Sequence, residues 1–188
     1  MIQLELRVAW GITGSGDLMP EIIHQMKEVI NENQKIKIYI FLSKAAQQVI
    51  KWYSLQKELE SISKKIFFEV DANRTEPFYY LPGALQIGKF RLFLICPATA
   101  NTVAKIVHGI ADTLITNAAS QATKAKLPVY IFPVDNKEGI QTTILPDGSE
   151  LKLTMRKIDI ENYNKILKMD NFHVFTEVSK LKEAMNIK

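Results

Sequence analysis

The sequence predicts an α/β fold: a three-layer Rossmann-like or flavodoxin-like parallel sheet with helices on both faces, plus a C-terminal hairpin. Three observations predict it. Apolar runs of strand length alternate with segments whose apolar residues recur at helical spacing. Those runs are apolar at successive positions, as strands covered on both faces must be. The chain has 188 residues, of which 47% are hydrophobic and 23% charged, which suits a single domain over 1–188.

The elements follow in order. Leu4 to Trp10 reads as a strand, followed by the glycine-rich stretch Gly11-Ile12-Thr13-Gly14-Ser15-Gly16, which no helix interior would carry. Asp17 is the candidate N-cap of a helix carrying Ile22, Ile23, Met26, Val29 and Ile30, which Asn31-Glu32-Asn33 stops. Lys35 to Leu42 is the second strand, and Ser43 caps a helix bearing Ala45, Ala46, Val49, Ile50 and Tyr53. Ile66 to Val70 is a short strand, and Asp71 to Pro82, with two Pro and two Tyr, reads as a loop. Leu92 to Cys96 is a long strand ended by Pro97. Thr99 to Ile110 and Asp112 to Lys126 read as helices broken near Gly109, and Leu127 to Phe132 as another strand. Residues 137–158 read as a hairpin insertion, with strands Gln141 to Leu145 and Leu151 to Met155 around Pro146-Asp147-Gly148. A polar helix near Glu161 to Lys168, a strand at Phe172 to Phe175 and a last helix finish the chain.

Composition excludes several classes. One Cys permits no disulfide framework and no Cys-based metal site, and fits a reducing, cytoplasmic setting. No apolar run approaches the ~20 residues of a membrane span, and the start shows no secretory pattern. The net charge is +4, but the Lys residues are scattered without a basic tract, so neither nucleic acid nor membrane is an expected partner. Three separated His residues without acidic partners predict no metal site. His24 reads as solvated, His108 as packing or function, and His173 as a tail residue without partners. Cys96 reads as a small buried hydrophobe, with redox work the competing reading.

In parallel sheets of this kind ligands bind outside the carboxyl ends of the strands. Gly11, Gly14 and Gly16 fall there with the spacing G-x-x-G-x-G, which is neither the dinucleotide fingerprint nor a P-loop. Asp17 stands where a P-loop has its Lys, and its carboxylate repels a triphosphate. The Thr13 and Ser15 hydroxyls and the loop amides still suit a single phosphate at a helix N-terminus, with a plain tight turn as the competing reading. After the second strand, Ser43-Lys44 offers a hydroxyl and a cation where a dinucleotide site would carry an acid for the ribose. The string Pro97-Ala98-Thr99-Ala100-Asn101-Thr102 places small residues beside an amide able to meet a heterocycle edge, while Thr99 alone would serve as a cap.

That string, with Lys105-Ile106, Gly109-Ile110-Ala111-Asp112 and Leu114-Ile115-Thr116, resembles the P-A-S-A-N-T region of the FMN-binding flavoproteins. The family includes the homo-oligomeric flavin-containing cysteine decarboxylases, the flavin prenyltransferases and archaeal electron-transfer flavoproteins. The resemblance spans roughly Val8 to Val134. Val8 to Gly16 together with Phe41 to Ala46 resemble the archaeoflavoprotein branch, itself similar to dihydromethanopterin reductase (acceptor). The resemblance implies FMN phosphate against Gly14, Ser15 and Ser43 and the isoalloxazine by Thr99, Ala100, Asn101 and Thr102, with Thr13, Gly16, Pro97 and Ala98 also in the cofactor site. It also implies an assembly built from trimers.

Departures from the other branches matter as much. Pro82 to Arg91 lacks the decarboxylases' His, and Asp135 replaces the Met of their P-x-M-N segment. Asn117 replaces the prenyltransferases' Arg, although Lys124 matches a family lysine. With both sets incomplete, the flavin is left as the reactive group and no side chain is assigned as catalytic. The expected activity is an FMN-dependent oxidoreductase passing electrons from a ferredoxin-like donor to an acceptor such as a dihydropterin. A cysteine decarboxylase-like enzyme and a non-catalytic FMN-binding assembly protein are the alternatives. Asp71 to Gly83 is expected to shape the acceptor pocket, Trp10 and Tyr79-Tyr80 to stack on a flavin or pterin or merely to pack, and Lys44, Lys89, Arg91 and Lys124 to steer an acidic partner or to be solvated.

Overall fold

The computed structural model describes residues 6–33, 35–70 and 76–185. In chain order the elements are β1 (Leu6–Ile12), α1 (Met19–Glu32), β2 (Ile36–Leu42), α2 (Lys44–Trp52), α3 (Gln56–Ile62), β3 (Ile66–Phe68), α4 (Glu76–Gln86) and β4 (Leu92–Ala98). There follow α5 (Ala100–Val107), α6 (Leu114–Lys124), β5 (Val129–Pro133), β6 (Ile140–Ile144), β7 (Glu150–Thr154), α7 (Lys157–Ile166), β8 (Phe172–Val174) and, after a 3-10 turn, α8 (Leu181–Ala184).

Six strands pair in the order β3-β2-β1-β4-β5-β8, every pair parallel. Successive residues of a strand point to opposite faces, so strands apolar at every position feed two cores at once. Val8, Trp10 and Ile12 of β1 join Ile22, Met26, Ile50 and Leu59 on the face covered by α1, α2, α3 and α8. Ala9 of β1, Phe93 and Ile95 of β4 and Ile131 of β5 join Leu85, Val103, Ile115 and Ile166 on the face covered by α4, α5, α6 and α7. The chain steps outward from β1 to β3 and then returns to start β4 on the other side of β1. The order reverses there, and a crevice opens above the ends of β1 and β4.

The strands, the fold class and the hairpin agree with expectation; several details do not. Leu4, where the first strand is expected to begin, lies outside the described residues. Asp17 is not the cap of α1: Leu18 holds that position at φ 56°, and no side chain caps the helix. Residues 71–75 of the expected loop lie outside the described residues, and its remainder is α4, with Pro82 inside the helix. Burial of Leu81, Ala84 and Leu85 against Phe41 and Phe90 outweighs the proline there. α3 goes unforeseen, because its short polar sequence carries only Leu59 and Ile62 to the core.

Candidate functional site

Two loops meet at the crevice, one after β1 and one after β4, and Thr13 joins them. Its backbone N–H and its hydroxyl both donate to the Pro97 carbonyl, at 3.2 and 2.9 Å, and the hydroxyl accepts from the Thr99 N–H at 2.9 Å. Thr13 is 2% exposed, so these bonds form out of water and fix both loops relative to the sheet. Beneath them the Trp10 indole N–H donates to the Cys96 carbonyl at 2.6 Å. Trp10 is therefore a core residue and does not stack on a ligand.

Gly14 is required by proximity. A Cβ there would come within 2.3 Å of the Ala45 Cβ and 3.1 Å of the Ala45 backbone, so the loop lies directly on the first turn of α2. Ser43 caps that turn, its hydroxyl oxygen accepting from the Ala46 N–H at 3.1 Å. Thr99 caps α5 in the same way through the Thr102 N–H at 3.3 Å. Capping occupies one lone pair of each hydroxyl and leaves its proton to donate elsewhere.

Around this junction lies a groove of about 450 Å3, lined by Thr13, Gly14, Ser43, Lys44, Asn101 and Thr102 among others. A second chamber of about 360 Å3 lies on the other side of Gly14 and Thr99, which border both spaces. Its floor includes Ser15, Gly16 and Asp17. Its roof is the β6–β7 hairpin, which presents Thr143, Leu151 and Leu153. Tyr53 anchors the roof by donating its hydroxyl to the Ile144 carbonyl at 2.7 Å. Both volumes fall in the range of cofactor pockets, roughly 300–1,000 Å3.

The sequence-predicted residues separate by role. Gly14, Ser15, Gly16, Ser43, Thr99, Asn101 and Thr102 border the two spaces. Pro97 and Ala98 are buried strand residues whose carbonyls brace neighbouring loops, taking bonds from Thr13 and from the Val134 N–H at 3.1 Å. Ala100 donates its N–H to Asp135 at 3.0 Å. Tyr80 stacks on Phe67 at 5.5 Å, in an aromatic cluster with Phe41, and so belongs to packing. His108 contacts the Asn162 side chain at 3.2 Å, His24 pairs with Glu28 at 3.4 Å, and His173 stacks on Tyr130 at 4.7 Å, so His173 does have a partner. Cys96 is 1% exposed and burial pushes its thiol well above the usual range, which makes it an inert core residue.

Three carboxylates were not foreseen in their roles. Glu69 accepts from the Lys44 N–H at 3.0 Å and the Leu114 N–H at 2.5 Å, bridging the N-termini of α2 and α6 at the edge of the groove. Asp135 sits at the N-terminus of α5 through Ala100, and burial, with the charge of Asp159, pushes its carboxyl up. Asp17 borders the chamber, and burial also pushes its carboxyl up, helped by the charges of Asp135 and Glu21. The carboxylates were visible in sequence as residues, but not the helix ends and the roof they meet. Among the described residues there is no cluster of metal-ligating side chains, and no helix is long and apolar enough to cross a membrane.

Comparison with known proteins gives the family and supports the fold. The model of the Flavoprotein family matches residues 3–185. An uncharacterized protein of Methanocaldococcus jannaschii is 48% identical over 96% of this chain and 94% of its own length. A dihydromethanopterin reductase (acceptor) of the same organism is 40% identical over 90% of this chain and 71% of its own. The crystal structure of Burkholderia xenovorans DmrB in complex with FMN, described as a cubic protein cage for redox transfer, superposes with a TM-score of 0.80. It is 28% identical, and the match covers 98% of this chain and 96% of that one.

Proposed function

The chain belongs to the Flavoprotein family, and from that membership we propose that it is an FMN-dependent oxidoreductase that takes electrons from a ferredoxin-like donor and reduces a dihydropterin such as dihydromethanopterin. The observation that carries this reading is the crevice above β1 and β4. The Thr13 bonds draw the glycine-rich loop and the Thr99–Thr102 turn together there, beside the first turn of α2.

The residues present fit FMN. The Gly14 backbone lies where any side chain would strike Ala45, which keeps the floor of the groove flat. Hydroxyls of Ser43, Thr102 and Thr113 and the Lys44 ammonium border that groove and suit a phosphate and a ribityl chain. Gly14 and Ser43 would hold the phosphate and Thr99, Asn101 and Thr102 the ring, while Ser15 and Gly16 face the neighbouring chamber. Bound there, the flavin supplies the two-electron chemistry that the side chains lack. The protein's own part is to fix the ring and to seat the acceptor beside it in the chamber under the hairpin.

An FMN-binding relative described as a cage, and an exposed Trp52 on the chamber rim, support an assembly of several copies, built from trimers in this reading. The test has two steps. Purified protein incubated with FMN is expected to show a bound flavin spectrum. Its bleaching by reduced ferredoxin and its return on adding dihydromethanopterin would bear out donor and acceptor in turn. A chain that takes up no FMN would overturn the reading.

A further inference from the structure

We propose that Asp17 is the general acid of this site, the residue that hands a proton to the ring nitrogen of a cyclic imine bound under the β6–β7 hairpin. The inference rests on the reading above, in which the chain reduces such an acceptor.

The Asp17 side chain does not cap α1, since Leu18 occupies the cap position and no side chain accepts from the first turn. The Asp17 N–H instead donates to the Ser15 hydroxyl at 3.2 Å, which folds the loop so that Asp17 borders the chamber. The chamber shares Gly14 and Thr99 with the flavin groove, so a ligand in it lies beside whatever the groove holds.

Among the described residues lining the chamber, the ionisable groups are Asp17, Tyr53 and Asp135. Asp135 accepts from the Ala100 N–H of α5, and Tyr53 donates to the Ile144 carbonyl. Asp17 instead meets the Leu18 N–H and the Thr143 hydroxyl of the roof, and so is the carboxyl that faces the hairpin. The groups facing Asp17 are Asp135 from the loop after β5, Glu21 from α1, Tyr53 from the end of α2 and Thr143 from β6. Burial opposes a negative charge on Asp17, and Asp135 and Glu21 repel one; the Thr143 hydroxyl, buried and without a hydrogen bond of normal geometry, and the Leu18 N–H pull the other way. These surroundings strengthen the carboxyl's hold on its proton, which is the direction a general acid needs. Leu151, Leu153 and Met155 give the chamber an apolar roof against which a flat ring could pack.

The carbon of the C=N bond gains a hydrogen with two electrons from the reduced flavin as reductant. The π pair moves onto nitrogen, which takes the Asp17 proton. Asp17 is left as a carboxylate and is reprotonated from solvent before the next cycle.

The experiment uses the full chain loaded with FMN, and the variants Asp17→Asn and Asp17→Glu. Reduced protein is mixed with dihydromethanopterin and the return of flavin absorbance is followed across pH. The unaltered protein is expected to reoxidise more slowly as pH rises, and the Asp17→Asn variant to reoxidise about 100-fold more slowly and to lose that pH dependence. Asp17→Glu recovers part of the rate. Reoxidation by ferricyanide, which needs no proton at nitrogen, stays unaltered, as do FMN affinity and the dissociation constant of the acceptor. Infrared difference spectra of the FMN-free chain should lose one protonated carboxyl band in Asp17→Asn. An unaltered rate and pH profile in Asp17→Asn would overturn the role of Asp17 while leaving the proposed function standing. So would a loss confined to acceptor affinity. If the unaltered protein is never reoxidised by dihydromethanopterin, the acceptor reading and this inference fall together.

Discussion

At the scale of single residues, Thr13 carries more than its hydroxyl suggests. It is read from sequence as a phosphate ligand, yet its buried oxygen already serves Pro97 and Thr99. Thr13→Val keeps the shape and deletes both bonds, so it should cost about 1–3 kcal/mol of stability and loosen FMN binding, measured by denaturation and by flavin fluorescence. Asn101 is exposed on the first turn of α5. Asn101→Asp adds a negative charge where the helix dipole welcomes one, so the FMN-free chain should melt no lower while FMN affinity falls. Equal affinity would remove Asn101 from the site. Asp17 also predicts a pH dependence of folding. Its folded-state pKa is raised above the unfolded value of 3.8, so its contribution is fully present below pH 3.8 and is lost as pH rises through the folded value. Asp17→Asn should therefore melt higher than the unaltered chain at pH 7, the difference vanishing below pH 4 in paired thermal melts. The carboxylates and the aromatic residues were legible as residues but not as roles, because burial and partners are tertiary facts.

At the scale of elements, the strands and the long helices were legible because apolar periodicity is a local property. Helix α4 was not, since Pro77 and Pro82 signal a break and only the aromatic face of β2 and β3 beneath it makes the helix worthwhile. The hairpin was legible from its turn, but not its use. Turn residues fix the pairing of Ile140 with Thr154 and of Ile144 with Glu150, whereas the roofing of Gly14 to Asp17 depends on Tyr53. Tyr53→Phe should leave overall stability within about 1 kcal/mol and speed hydrogen exchange at the amides of β6. Unchanged exchange there would mean that the hairpin is held by its apolar contacts alone.

At the scale of the whole molecule, the two cores leave Trp52 exposed at the chamber rim and Ile140 and Ile144 exposed on the hairpin, at 64%, 69% and 54%. The proposed assembly predicts that light scattering of the FMN-loaded protein gives a mass several times the 21.4 kDa of one chain. A single-chain mass would sink it. By itself the sequence determined the parallel sheet and the short strings that border the crevice, Gly14 to Gly16, Ser43 and Thr99 to Thr102, because apolar spacing and loop composition are written locally along the chain. Only the tertiary structure decided that Thr13 stitches the loops, that Glu69 bridges two helix ends, and that Asp17 leaves its helix to face a roof more than 120 residues further along. Those outcomes depend on which distant groups share a desolvated space, and in that space a hydroxyl or a carboxylate takes its role from its neighbours.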